Sequence, residues 1–326
     1  MNQLRFKTRI TQIPIIAGSN QPYDIPRQYD YETLFLRLSG TVQVTAAATA
    51  VRAEAPTQIL PRLEVTSEGR NTHFNAPFWR CCIGNYERPQ NIPGALSVVP
   101  PTSPAVGTYP FSAHGVIDFC NVDGIRPKDS NLRTSALSLF QLRPTFGAAG
   151  DMFVGGTANF VGTPTLEVFS ITMYEIPGAD GKASTPGALK KTVYQEVAVP
   201  TSNLTQEIRL PTGNYLKSVV VRAEGLTTAG EPTNAVINEM TLSSAQDVRI
   251  KLLGNQVRAL NNQDYGPVPV GYYILDYTSQ GKIPGNLTDC WNVSGQAEPK
   301  LILDVNGGAA VRLQIVTTEM ILATPM

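Results

Sequence analysis

Residues 271–285 read GYYILDYTSQGKIPG, and residues 114–127 read HGVIDFCNVDGIRP. In the first, Tyr273, Leu275 and Tyr277 alternate with Ile274, Asp276 and Thr278, the period-two pattern of a β-strand, before a Gly-Lys-Ile-Pro-Gly turn. The second carries the same core, with Val116-Ile117-Asp118-Phe119 standing where the first has Ile274-Leu275-Asp276-Tyr277. A short polar stretch, a Gly and a Pro follow in both.

The likeness extends to both sides of that strand. Before it, ILPRLEVTS (59–67) and FWRCCIGNY (78–86) in the first half correspond to VINEMTLSS (236–244) and QVRALNNQDYG (256–266) in the second. After it, TLEVFSITMYEI (165–176) corresponds to VRLQIVTTEMI (311–321). Four features in the same order make the chain two copies of one β domain. A length of 326 residues suits two domains, each large enough to bury a core of its own.

Further strand patterns are LFLRLSGTVQV (34–44), TQILPRLEVT (57–66), ALSLFQLRP (136–144), YLKSVVVRAEG (215–225), NAVINEMTLSS (234–244), KLILDV (300–305) and AVRLQIVTTEMIL (310–322). Gly and Pro, 27 and 25 in number, are spread along the chain as turns between short strands require. Short helical turns are expected at 130–138, with Asp129 or Ser130 as N-cap, and at 255–263. The stretch PGADGKASTPGALKK (177–191) has almost no large apolar residue and reads as a linker. The Pro-rich stretch 88–110 reads as an ordered surface excursion of the first domain. The expected organisation is an N-terminal arm over 1–30, a first domain over 31–178, a linker over 179–192 and a second domain over 193–326.

Charge is balanced, with 26 basic and 26 acidic residues, which gives no support for bulk attraction to nucleic acid. Only 16% of residues are charged, which suits either a surface that meets other protein or a Thr/Ser/Asn-rich β surface. The exception is MNQLRFKTRI, where Arg5, Lys7 and Arg9 fall on one side of an extended chain. They either meet anionic lipid headgroups or a genome, or belong to a frayed, solvated terminus.

Cys81, Cys82, Cys120 and Cys290 form no CxxC pair and read as reduced, buried thiols of a protein made in a cytoplasm. No signal-peptide core or membrane-length apolar run is present. Sequons begin at Asn203, Asn286 and Asn292 and carry little meaning without a secretion signal. His73 and His114, the two histidines, lie at no metal-ligand spacing. No nucleophile elbow, P-loop, dinucleotide fingerprint or zinc-protease motif occurs. Strand carboxylates Asp118, Asp276 and Asp304 could pair for glycoside hydrolysis only if the fold joined two of them, and Asp264 or Asp289 could hold a cation at a contact. No catalytic residue, cofactor or metal is therefore expected.

The tandem β domains, the Asp-aromatic strand in each, and the segment VRALNNQDYG…GYYILDYTSQGKIPG resemble the double jelly-roll major capsid proteins of tailless icosahedral viruses, including bacteriophages with an internal membrane. The resemblance covers about 31–322. It implies an all-β fold of two tandem eight-stranded jelly-roll sandwiches. It also implies a homotrimer with six similar lobes, tiling a virion shell beside neighbouring capsomers and a vertex (penton) protein, over a lipid membrane in some members. The family is not enzymatic, so no catalytic residue carries over. The competing expectation is a tandem β-sandwich carbohydrate-binding or spike protein, against which stands the scarcity of tryptophan: Trp79 and Trp291 both lie in patterned segments. A jelly-roll metalloenzyme is disfavoured by the shortage of histidine.

Overall fold

The computed structural model describes residues 3–47, 50–83, 105–120, 130–175, 188–245, 247–277 and 290–322. These fall into two compact units, one up to Lys190 and the other from Lys191 on, a boundary inside the strand Ala188–Ala198, which is described with the second.

The first unit holds β1 (Gln3–Pro14), β2 (Tyr23–Asp24), β3 (Asp30–Ala46), β4 (Ala50–Val51), β5 (Arg62–Ser67), β6 (Asn71–Ala76), helix α1 (Phe78–Ile83), β7 (Gly107–Asp118), β8 (Leu132–Arg133), β9 (Phe140–Thr145), β10 (Phe153–Val154) and β11 (Thr157–Glu175). Hydrogen-bonded neighbours run β1-β11-β3-β7 in one layer and β6-β5-β9-β2 in the other. The second unit holds β12 (Ala188–Ala198), β13 (Asn203–Arg209), β14 (Tyr215–Glu224), β15 (Ile237–Ser244), β16 (Asp247–Leu253), helix α2 (Gly254–Tyr265), β17 (Tyr272–Asp276), β18 (Trp291–Asn292), β19 (Lys300–Val305) and β20 (Arg312–Leu322). Its neighbours run β12-β20-β14-β17 and β13-β19-β15-β16.

Setting aside the two-residue pairings of β4, β8, β10 and β18, both units follow one rule. The first strand lies beside the eighth, the eighth beside the third, and the third beside the sixth. The second lies beside the seventh, the seventh beside the fourth, and the fourth beside the fifth. This is the jelly roll, a doubled Greek key. Each core forms because inward positions alternate along the strands. Leu34, Leu36 and Leu38 of β3 are buried in one unit, and Leu301, Leu303 and Val305 of β19 in the other.

The repeat seen in the sequence survives at atomic detail. Asp118 ends β7 opposite Thr33 of β3, and Asp276 ends β17 opposite Ser218 of β14. Thr33 Oγ1 donates to Asp118 Oδ1 at 2.7 Å. The aromatic that follows each Asp hydrogen-bonds its backbone N–H to the third strand, Phe119 to the Glu32 carbonyl and Tyr277 to the Lys217 carbonyl, both at 2.9 Å. A helix precedes the sixth strand in both units. In the first, Gly115 of β7 lets α1 come close, since a Cβ there would stand 2.6 Å from Cys81 Cβ. All four cysteines are buried and unbridged, and burial pushes the Cys81 and Cys82 thiols up.

Three expectations change. Residues 3–14 are no arm ahead of the first domain but its outer strand β1, paired to β11 from Gln3↔Glu175 to Pro14↔Thr165. A bulge between Arg9 and Thr11 exchanges the faces, so Ile13 enters the core while Arg5 to Arg9 stay exposed. The linker read over 179–192 overlaps β12, which already begins at Ala188; residues 179–187 lie outside the described residues. Residues 131–138 form no helix: Leu132–Arg133 bridges to Asp30–Tyr31 of β3, and a turn follows. The other expected helix is present as α2, its first turn tied by Gln256 Oε1 accepting from the Leu253 N–H at 2.9 Å. Most of the 88–110 excursion lies outside the described residues, as does Asp289, and β7 starts at Gly107.

Candidate functional site

The carboxylates singled out in the sequence are not brought together as catalytic pairs. Asp118 is engaged by Thr33, Asp304 accepts from Asn238 Nδ2 at 3.2 Å, and Asp118 belongs to the first unit while Asp276 and Asp304 belong to the second. Asp264 lies near the end of α2, where desolvation raises its carboxyl. Among the described residues, no group of three or more His, Cys, Asp or Glu could hold a metal ion. None of their helices is long and apolar enough to cross a membrane.

His73 stands on β6 with Nε2 2.8 Å from Ser67 Oγ and its ring edge-on to Phe140. Desolvation lowers its pKa from 6.5 to about 4. The folded state thus holds His73 neutral where the unfolded chain binds a proton, so stability falls as pH drops below about 6.5 and levels off near 4. The loss across that whole window is on the order of 3 kcal/mol. Chemical denaturation at pH 7 and pH 4.5 should show it, and His73→Gln should remove that share of the slope. His114, on β7, is lowered by desolvation and by the Arg37 guanidinium.

The basic row of β1 is placed as an extended strand would place it, but two of its three cations have partners. Arg5 pairs with Glu32, and Arg9 with Glu167 at 3.2 Å, which Arg37 also approaches at 3.5 Å. The side chains of Arg5 and Arg9 remain about half exposed, at 53% and 50%. Such pairs contribute little stability and leave the cations open to another anion. Lys7 is exposed and has no charged partner among the described residues.

Each unit also carries a cavity beside the segment joining its sixth and seventh strands. In the first it measures about 630 Å³. Arg27, on its wall, donates to the carbonyls of Leu137 and Ser138, while Glu68 accepts from the Ser138 N–H and hydroxyl. Those hydrogen bonds hold the Glu68 carboxyl below its usual range. In the second unit a cavity of about 710 Å³ is walled by Arg249, Asp276, Tyr277 and Trp291 among others.

No protein-family description matches the sequence, and no curated protein matches it either. Solved structures do. STIV MCP, from Sulfolobus turreted icosahedral virus, is 18% identical with a TM-score of 0.75, over 98% of this chain and 97% of that one. The major capsid protein P2 of bacteriophage PM2 is 12% identical with a TM-score of 0.63, over 98% of both chains. The PBCV-1 virus capsid chain is 14% identical with a TM-score of 0.64, over 98% and 94%. The chain therefore has the double jelly-roll fold of these capsid proteins.

Proposed function

We propose that this chain is the major structural subunit of an icosahedral virion shell, assembling as a homotrimer whose six jelly rolls tile the shell. The observation that carries the reading is the likeness to capsid proteins of three viruses over 98% of the chain, with no large segment left over for another activity. The low share of charged residues supports broad lateral contact, because few ions would have to be desolvated between subunits. Its partners are neighbouring copies, further capsomers and a vertex protein. No sequence-specific contact to nucleic acid and no catalytic turnover belong to this reading.

Arg5, Lys7 and Arg9 are assigned to an anionic partner at the inner surface, a lipid membrane or the genome backbone. Their exposure on an edge strand, with Lys7 uncompensated, supports this. The assembly state of the purified chain tests the whole reading, since a carbohydrate-binding module of similar fold can work as a monomer.

A further inference from the structure

The two jelly rolls serve as controls for one another, and they finish the same corner differently. Register fixes the matching positions. Leu132 faces Tyr31, two residues before Thr33, and Trp291 faces Leu216, two residues before Ser218. Phe119 and Tyr277 each follow the paired Asp. His73 and Arg249 are the bulged residues of matching strand pairs. Leu142 opposes Val65 as Leu301 opposes Leu242, which sets Phe140 against Pro299.

In the first unit this corner is packed with rings. Phe119, Phe140 and Tyr31 lie with centroids 5.2 to 6.4 Å apart, His73 closes against Phe140, and Leu132 is buried. In the second unit Leu216 and Pro299 stand where Tyr31 and Phe140 do. Arg249 turns outward to Asp247 at 2.8 Å, with a side chain about half exposed (49%). The cavity of about 710 Å³ lies here, whereas the first unit's cavity of about 630 Å³ is lined by Phe140 alone of that corner's rings.

Polar groups accompany the lost rings. Trp291 replaces the leucine and Tyr277 the phenylalanine, their rings 6.1 Å apart and tilted by 52°. The Trp291 Nε1 and the Tyr277 hydroxyl are both buried without a hydrogen-bond partner. Buried donors are almost always satisfied, and an apolar residue of similar shape would avoid the cost, as the first unit demonstrates. Both belong to residues that line the cavity, and two orphaned donors just behind its wall point to an acceptor-bearing ligand.

We propose that the second jelly roll binds a saccharide in this cavity, between Trp291 and Tyr277. The wall offers ring faces for C–H groups, the indole and phenol donors for ring or hydroxyl oxygens, and the Asp276 carboxylate as an acceptor for hydroxyls. Arg249 is paired with Asp247, so among the described lining residues no uncompensated cation faces the cavity, which disfavours phosphate. The volume suits one or two sugar rings. Both donors are shut off from solvent, so binding parts the two rings. The inference rests on the second unit alone and stands whether or not the chain builds a shell.

Calorimetric titration of the full-length protein with the methyl glycosides of glucose, galactose, mannose and N-acetylglucosamine tests it, with inorganic phosphate as control. At least one glycoside should bind with a millimolar or tighter Kd, and phosphate should not. Tyr277→Phe should weaken binding about five- to tenfold, as for one lost hydrogen bond. Trp291→Leu should abolish it. Both variants place the residue of the first unit at the matching site, and Tyr277→Phe removes a single oxygen, so it remains informative if Trp291→Leu fails to fold. Binding of none of the four glycosides, binding of phosphate instead, or undiminished binding by Tyr277→Phe would overturn the proposal.

Discussion

Deleting residues 2–10 should lower the melting temperature by about 5–10 °C, as expected for the loss of roughly 2–3 kcal/mol in a chain with units of this size. The side chains of Arg5 to Arg9 are exposed, so little core is lost, yet the backbone of this half of β1 is paired with β11. Deletion would strip one edge of β11 along Phe169 and Ile171, leaving unpaired N–H and C=O groups beside apolar side chains. A rise in aggregation should accompany the destabilisation. Triple replacement of Arg5, Lys7 and Arg9 by Gln, which keeps the strand, should leave the melting temperature within about 2 °C because the pairs it breaks are exposed. An unchanged melting temperature after the deletion would mean that β1 is an appendage, as the sequence first suggested.

Asn261→Ala should cost about 3 kcal/mol, read as a fall of roughly 10 °C in melting temperature. Asn261 lies on α2, 4% exposed, and its amide acts as a substitute peptide group for the edge of β17. Its Nδ2 donates to the Ile274 carbonyl at 2.7 Å, and its Oδ1 accepts from the Ile274 N–H at 2.8 Å. Removing it leaves two backbone groups of a residue that is 2% exposed without these bonds. Amide exchange at Ile274 should accelerate along with the loss of stability. A change under about 1 kcal/mol would show that water replaces the side chain there, and that α2 does not seal this edge.

The sequence was most legible where strands bury one face. LFLRLSGTVQV, YLKSVVVRAEG and KLILDV alternate cleanly because β3, β14 and β19 each have a strand on either side and a core beneath. β1, β13 and β16 went unread for the opposite reason. They are edge strands, and their side chains stay largely in solvent: in β13, NLTQEIR, only Ile208 is buried. An edge strand needs polar residues to resist unwanted pairing, which erases the period-two signal. The basic residues of β1 therefore looked like a tail when they are the charged rim of a sheet. Residues 130–138 suggested a helix from composition alone, but the bridge of Leu132 to Tyr31 is a tertiary contact that local preference cannot reveal.

The repeat carried more than its short motif promised. The Asp-aromatic pair marks the same place in both jelly rolls because the Asp closes the sixth strand against a hydroxyl-bearing residue of the third. The cavity of the second unit was not read from the sequence. Aligning the repeats sets Tyr277 against Phe119 in the quoted stretches, an exchange that adds a hydroxyl to a partly buried ring. What the sequence could not supply was the pairing of Trp291 with Leu132, which requires strand register.

Native mass measurement of the purified chain tests the central claim most directly. A shell subunit of this fold should appear at three times the 35.2 kDa chain mass and stay there on dilution to micromolar concentration. An obligate interface on the order of 2,000 Å² or more between neighbours would hold it. A stable, well-folded 35.2 kDa monomer at that concentration would contradict the account and favour a tandem binding module.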